Sequence, residues 1–134
     1  MKLRELMTVM LCLSATGLMT SLPLQAQERP YTVTNGNQLD ADSYKGFKLY
    51  RNWCARCHGT YGQGLAGPNL AQSLNKISRD EFMTTVADGK TGTIGSMPAW
   101  KANPGVMEGR EYIYSYLKAR ADGAIGEVKP EKAK

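Results

Sequence analysis

Apolar residues recur at helical spacing in three places along the chain. Tyr44, Phe47 and Tyr50, with Trp53 at the end of the same run, predict a helix from about Tyr44 to Asn52 with one buried aromatic side. Asp42 or Ser43 is placed to cap it. Further on, Ser78-Arg79-Asp80-Glu81 has the capping-box pattern and opens a helix through Phe82, Thr85 and Val86 that Gly89 ends. Ile113, Tyr116 and Leu117, with Tyr112 beside them, form the apolar face of a last helix from about Val106 or Met107 to Arg120. Lys118 and Arg120 suit its C-terminal end. Gly46 inside the first helix costs about 1 kcal/mol relative to alanine, which a close crossing by another helix would justify.

The segments between these helices carry punctuation instead of periodicity. Gln27 to Asn37 holds the short alternating piece Tyr31-Thr32-Val33-Thr34 and the turn pair Asn35-Gly36, an extended arm ending in a turn. Gly59, Gly62, Gly64 and Gly67 make a loop that bends around something bulky; no lysine follows where a phosphate-binding loop needs one. Lys90 to Pro104 is broken by Gly92, Gly95, Pro98 and Pro104. Residues 124–134 read as a flexible charged tail. The pattern thus holds three helices joined by irregular segments, and no repeat is visible.

Before all this stands a different hydropathy pattern. Lys2 and Arg4 precede an apolar run centred on Met7 to Leu13, and Pro23-Leu24-Gln25-Ala26 follows, the layout of a secretory signal peptide cleaved after Ala26. Ser14, Thr16, Gly17, Thr20 and Ser21 interrupt the run, so it falls short of a membrane span of about 20 apolar residues. The expected organisation is therefore a signal peptide at 1–26, an extended arm at 27–42, one compact domain at 43–123 and the tail at 124–134. Export implies a periplasmic location and no membrane span after cleavage. The formal charge of +5 falls to +4 when Lys2, Arg4 and Glu5 leave, 15 basic residues against 11 acidic. No dense basic run interleaved with aromatics is present, so nucleic acid is not expected as a partner.

In an oxidising compartment a lone pair of cysteines needs a use. Cys12 lies within the signal; Cys54-Ala55-Arg56-Cys57-His58 remains. Two cysteines spaced by two residues and followed directly by histidine form the attachment signature of a c-type haem, with thioethers to both thiols and an axial imidazole. A structural zinc site wants four ligands, and His58 is the chain's one histidine. A thioredoxin-like dithiol wants a preceding strand, whereas a helix precedes Cys54. A Cys54–Cys57 disulfide would close too small a loop to stabilise much.

With one histidine, bis-histidine ligation within the chain is excluded, and a thioether is the remaining soft donor. Met83 sits inside a helix and suits core packing, and Met107 opens the last helix. Met97 lies on an irregular loop stiffened by Pro98 and is assigned as the distal ligand, the alternative being an open or exchangeable position.

Taken together, these motifs resemble the class I cytochromes c over nearly all of the chain after residue 26. Gly46 and Tyr50 match the glycine and aromatic ahead of the family's attachment motif, Gly67-Pro68-Asn69-Leu70 its glycine-proline-asparagine-leucine run, and Met97-Pro98 its distal pair. The resemblance implies an all-α fold, a small cup of three to four helices around one covalently bound haem c, and a single-electron carrier, not an enzyme. It also implies that the Pro68 carbonyl orients His58. Asn103 to Met107 and Tyr114 to Gly126 further resemble small periplasmic cytochromes that accept electrons from pyrroloquinoline-quinone (PQQ) alcohol dehydrogenases. That implies a quinoprotein alcohol dehydrogenase as donor and a cytochrome or terminal oxidase as acceptor. The alternatives are a generic respiratory shuttle, or a small haem enzyme or sensor with an exchangeable sixth ligand.

Overall fold

The computed structural model describes residues 28–134; the expected signal peptide lies outside them. In chain order the elements are β1 (Val33–Thr34), β2 (Gln38–Leu39), α1 (Ala41–Trp53), α2 (Ala55–His58), α3 (Leu70–Ser73), α4 (Arg79–Asp88), β3 (Lys90–Thr91), β4 (Ser96–Met97), α5 (Pro104–Ala121) and β5 (Glu131–Lys132). Five helices thus stand where three to four are expected, the additional ones being the single turns α2 and α3. The helices are arranged as the small helical cup expected of the sequence.

Its frame is the crossing of α1 and α5. Phe47 and Tyr50 of α1 are buried against Ile113, Tyr116 and Leu117 of α5. The Phe47 and Tyr116 rings meet edge to face at 5.2 Å, and Tyr50 and Tyr116 at 5.5 Å. Each such side chain contributes roughly 1.5–3 kcal/mol by leaving water. Gly46 is buried where the helices touch: a Cβ there would fall on the Tyr112 carbonyl oxygen and lie 2.9 Å from the Ile113 amide nitrogen. The expected close crossing is present, and it is matched from the other side. Gly109 of α5, unremarkable in the sequence, faces Leu49, whose Cδ1 a Cβ would overlap.

Several boundaries differ from expectation, each for a local reason. Helix α1 starts at Ala41 because Asp40, not Asp42 or Ser43, caps it: Asp40 Oδ1 accepts from the amides of Asp42 at 3.1 Å and Ser43 at 2.9 Å. Its other oxygen accepts from the Thr32 amide at 2.6 Å, tying the helix to the arm. That arm is a hairpin, β1 antiparallel to β2, turned by Asn35 and Gly36 with φ of 50° and 76°. Helix α5 starts at Pro104, which reads as a breaker but sits in the first turn, behind the Asn103 cap. Trp53, expected on the buried aromatic side, is 43% exposed. The capping of α4 by Ser78 and its end at Gly89 fall where the sequence puts them.

The segment 124–134 is not a flexible tail. Ile125 and Pro130 are fully buried, β5 pairs in parallel with β2, and Tyr31 donates to Asp122 at 2.9 Å. Two apolar anchors and a strand ladder outweigh the charged composition that suggested mobility.

Asp40 supplies a pH-dependent part of this stability. Burial works to raise its pKa, but hydrogen bonds from Ser43, Thr32 and Asp42 outweigh it and hold the carboxyl below its usual value. A carboxyl depressed in the fold stabilises above its unfolded pKa of about 3.9 and loses that contribution as pH falls through the folded value. Asp40→Ala is therefore expected to cost about 1 kcal/mol at pH 7. In urea unfolding at stepped pH, that difference should shrink below about pH 4. A difference that persists undiminished well below that point would show that the charged carboxylate is not what caps α1.

Candidate haem site

Helix α1 runs into the attachment motif. Cys54 terminates it, with its amide donating to Tyr50, and the single turn α2 follows, with the amides of Cys57 and His58 both returning to the Cys54 carbonyl at 3.1 and 3.0 Å. Residues three and four apart in a helical turn share a face, so Cys54, Cys57 and His58 project to one side. Cys57 is exposed and Cys54 half-buried; burial, with the neighbouring Cys57, pushes the Cys54 thiol up to about 12.

The glycine-rich loop bends around His58, which is buried. The Gly64 amide donates to the His58 carbonyl at 2.8 Å and the Gly67 amide to the Cys57 carbonyl at 2.7 Å. Gly59, Gly62 and Gly64 have φ of 82°, 81° and 94°, the left-handed region that lets the chain turn this tightly. Gly67 also lies against the imidazole, where a Cβ would come within 2.8 Å of Cε1. His58 Nδ1 is 2.9 Å from the Pro68 carbonyl oxygen. A carbonyl only accepts, so Nδ1 carries the proton and donates, and Nε2 keeps its lone pair for a metal.

Across from the motif, Met97 lies in β4, not on the irregular loop expected of it. It pairs with Lys90 of β3, and close backbone contact with Gly89 fixes its carbonyl, 2.5 Å from where a Cβ on that glycine would be. Cys54, His58 and Met97, together with Leu70, Ile77, Phe82, Thr85, Val86, Trp100, Ile113 and Leu117, share the wall of one narrow cleft with a cavity volume of about 60 Å³. Neither Met83 nor Met107 belongs to the wall. Outside the cleft, Trp53 packs edge-on against Trp100 with centroids 5.6 Å apart.

These residues fit a covalently held haem: two thiols and an imidazole with a free lone pair on one side, a thioether on another, and apolar walls between them. Sequence reasoning located the chemical groups and the apolar face of α5 that supplies Ile113 and Leu117, but not the rest of the wall, which comes from α3, Ile77, α4 and Trp100. It also missed Arg120, read as a helix-end charge but found buried, donating to the carbonyls of Tyr61 at 2.7 Å and Ile125 at 2.8 Å.

Comparison with known proteins agrees with this geometry. The family described as cytochrome c oxidase, cbb3-type, subunit III matches residues 41–117, more than half of the chain. Cytochrome c-555 of Methylococcus capsulatus is 40% identical over 96 residues, which cover 70% of this chain and 75% of that protein. The chain is a class I c-type cytochrome. Haem c is accordingly its cofactor, and its relatives are named as cytochromes, which carry electrons and are not enzymes. Cytochrome c-553I of Paracoccus denitrificans is 30% identical over 107 residues, 76% of this cytochrome but 47% of that protein. Among solved structures, the c-type cytochrome XoxG from Methylobacterium extorquens AM1 superposes with a TM-score of 0.72 at 38% identity, covering 78% of this chain and 67% of that one. No helix among the described residues is long and apolar enough to cross a membrane.

Proposed function

We propose that this mono-haem cytochrome is a periplasmic electron carrier with thioethers on Cys54 and Cys57, axial ligation by His58 and Met97, and a PQQ-dependent alcohol dehydrogenase as its electron donor, a terminal oxidase chain taking the electrons onward. When bound, haem c supplies a one-electron Fe(III)/Fe(II) couple. The chain's own residues do the rest. Cys54 and Cys57 hold the group permanently, Pro68 fixes the tautomer and plane of His58, Leu70, Phe82 and Val86 exclude water, and Pro98 stiffens the backbone beside Met97. The observation that carries the reading is that Cys54, His58 and Met97 line the same apolar cleft. The periplasmic location rests on the basic-then-apolar pattern of residues 1–26. The donor rests on the resemblance of Asn103–Met107 and Tyr114–Gly126 to cytochromes that serve such dehydrogenases.

Acid-acetone treatment is expected to leave the haem with the protein; haem that extracts freely would sink the thioether assignment. For the donor, dehydrogenase, alcohol and oxidised cytochrome are mixed in a stopped-flow cell. Reduction within the turnover time, only when alcohol is present, is the expected result. Its absence removes the alcohol dehydrogenase and leaves a respiratory shuttle.

Charge predicts how that encounter responds to salt. Lys45, Lys48 and Arg51 recur along α1, Arg56 follows on α2, and none has a carboxylate partner among the described residues. Lys101, another candidate for steering, lies 3.7 Å from Asp88 and its charge is partly offset. Unpaired cations beside the attachment motif attract an acidic donor over a Debye length of about 10 Å at 0.1 M salt. Lys48→Glu combined with Arg51→Glu is expected to slow reduction by about tenfold at low salt and far less at 1 M. Equal rates for the two proteins at low salt would discard steering by α1.

A further inference from the structure

The loop around His58 is held from outside the haem site by a residue in the last turn of α5. Arg120 donates Nε to the Tyr61 carbonyl at 2.7 Å and Nη1 to the Ile125 carbonyl at 2.8 Å. Its side chain is 7% exposed, and the nearest carboxylate oxygen, on Glu127, is 3.6 Å away on a group 58% exposed. Burying a guanidinium with so loose a counter-charge costs several kcal/mol unless its donors are well used, and here both bonds run to backbone carbonyls. Such bonds fix the path of the chain, not the pose of a side chain.

That path leads to His58. Tyr61 lies between Gly59, whose carbonyl accepts from the Tyr50 hydroxyl, and Gly62, whose carbonyl accepts from the Leu70 amide at 2.8 Å. Three residues past Tyr61, the Gly64 amide binds the His58 carbonyl at 2.8 Å. Beyond Gly67, Pro68 accepts from the imidazole. We propose that Arg120 is a positioning residue that orients the His58 imidazole, by clamping the Tyr61 carbonyl against the C-terminal segment at Ile125. The inference rests on the reading of His58 as an axial ligand. It gives the segment 124–134, anchored at Ile125 and Pro130, a role in setting the haem environment.

Lysine is the decisive substitution, because an ammonium keeps the charge but lacks the planar fork that spans both carbonyls. In the holoprotein, Arg120→Lys is expected to speed hydrogen exchange of the Gly64 amide at least tenfold. It should also displace the hyperfine-shifted proton resonances of the His58 ring and change the equilibrium constant for reduction by about threefold, where tenfold corresponds to 59 mV for a one-electron couple. Arg120→Gln is expected to do the same and to move the couple further toward the oxidised form, because a buried positive charge favours Fe(II). Glu127→Gln leaves both carbonyl bonds in place and is expected to leave Gly64 exchange and the ring resonances unchanged.

A folded Arg120→Lys protein with unaltered Gly64 exchange and His58 resonances overturns the proposal. So does Glu127→Gln reproducing the lysine phenotype, which would make the effect one of field and not of position. If Arg120→Gln does not fold, Arg120→Lys and Glu127→Gln carry the test. Absence of shifted imidazole resonances in the unmodified protein would refute the ligand assignment instead, and Gly64 exchange would still decide whether Arg120 holds the loop.

Discussion

Replacing Met97 with alanine is expected to abolish the weak red-edge absorption of a methionine–Fe(III) bond and to lower the reduction potential by roughly 0.2 V, part of the ~0.8 V that axial ligation spans. The thioether is a soft donor that favours Fe(II), and this chain has no second histidine to replace it. Stability should respond much less. Met97 is half-buried on a two-residue strand of the β3–β4 hairpin, away from the α1–α5 crossing, so truncation there leaves the buried aromatic frame intact. The two remaining methionines outside residues 1–26 serve as internal controls. Met83→Ala and Met107→Ala remove side chains that are not on the cleft wall and are expected to keep the band. Retention of the band in Met97→Ala, or its loss in either control, would transfer the ligand role elsewhere.

The largest effect on folding is expected at Gly46. Alanine in mid-helix normally gains about 1 kcal/mol over glycine. At Gly46 the added methyl would occupy the place of the Tyr112 carbonyl, and backbone yields only if the whole of α5 moves. Gly46→Ala should therefore lose stability by 3 kcal/mol or more in urea unfolding of the holoprotein, at the upper end of overpacking costs. Gly109→Ala makes the contrast, since its methyl would meet the end of the Leu49 side chain, which can rotate away. There the helix-propensity gain offsets the displacement, and the net change is expected to stay within about 1 kcal/mol. Equal losses at the two glycines would mean that the crossing is not as close as the Tyr112 contact requires.

How much of this was legible in the sequence follows from how local each determinant is. The attachment motif, the Ser78 cap and the apolar faces of α1 and α5 are set by spacing within one turn or a few, and they fall where periodicity puts them. Gly46 could be flagged as costly, and the need for a crossing inferred, because a glycine in mid-helix contradicts its own segment. Gly109 gave no such signal beside Gly105 in the same helix. Asp40, Pro104 and Trp53 were misjudged by small shifts in helix ends, where one cap competes with another. The tail was misjudged for a different reason: β5 pairs with β2, a partner far away in sequence, while the backbone of Ile125 is held by the adjoining end of α5. Arg120 was opaque on the same ground, since the Tyr61 carbonyl it binds is brought to it by the fold alone.

The meeting of α1 with α5 also bears on the order of events during synthesis. The Gly46–Tyr112 contact joins elements near opposite ends of the described chain, so α1 gains its partner only after α5 has emerged. Until then Phe47, Tyr50 and the adjoining Cys54 have nothing to pack against. In the structure Cys54 is half-buried, and burial, with the neighbouring Cys57, raises its thiol pKa. The docking of α5 is thus the step that closes the helical cup over the face of α1 that leads into the attachment motif.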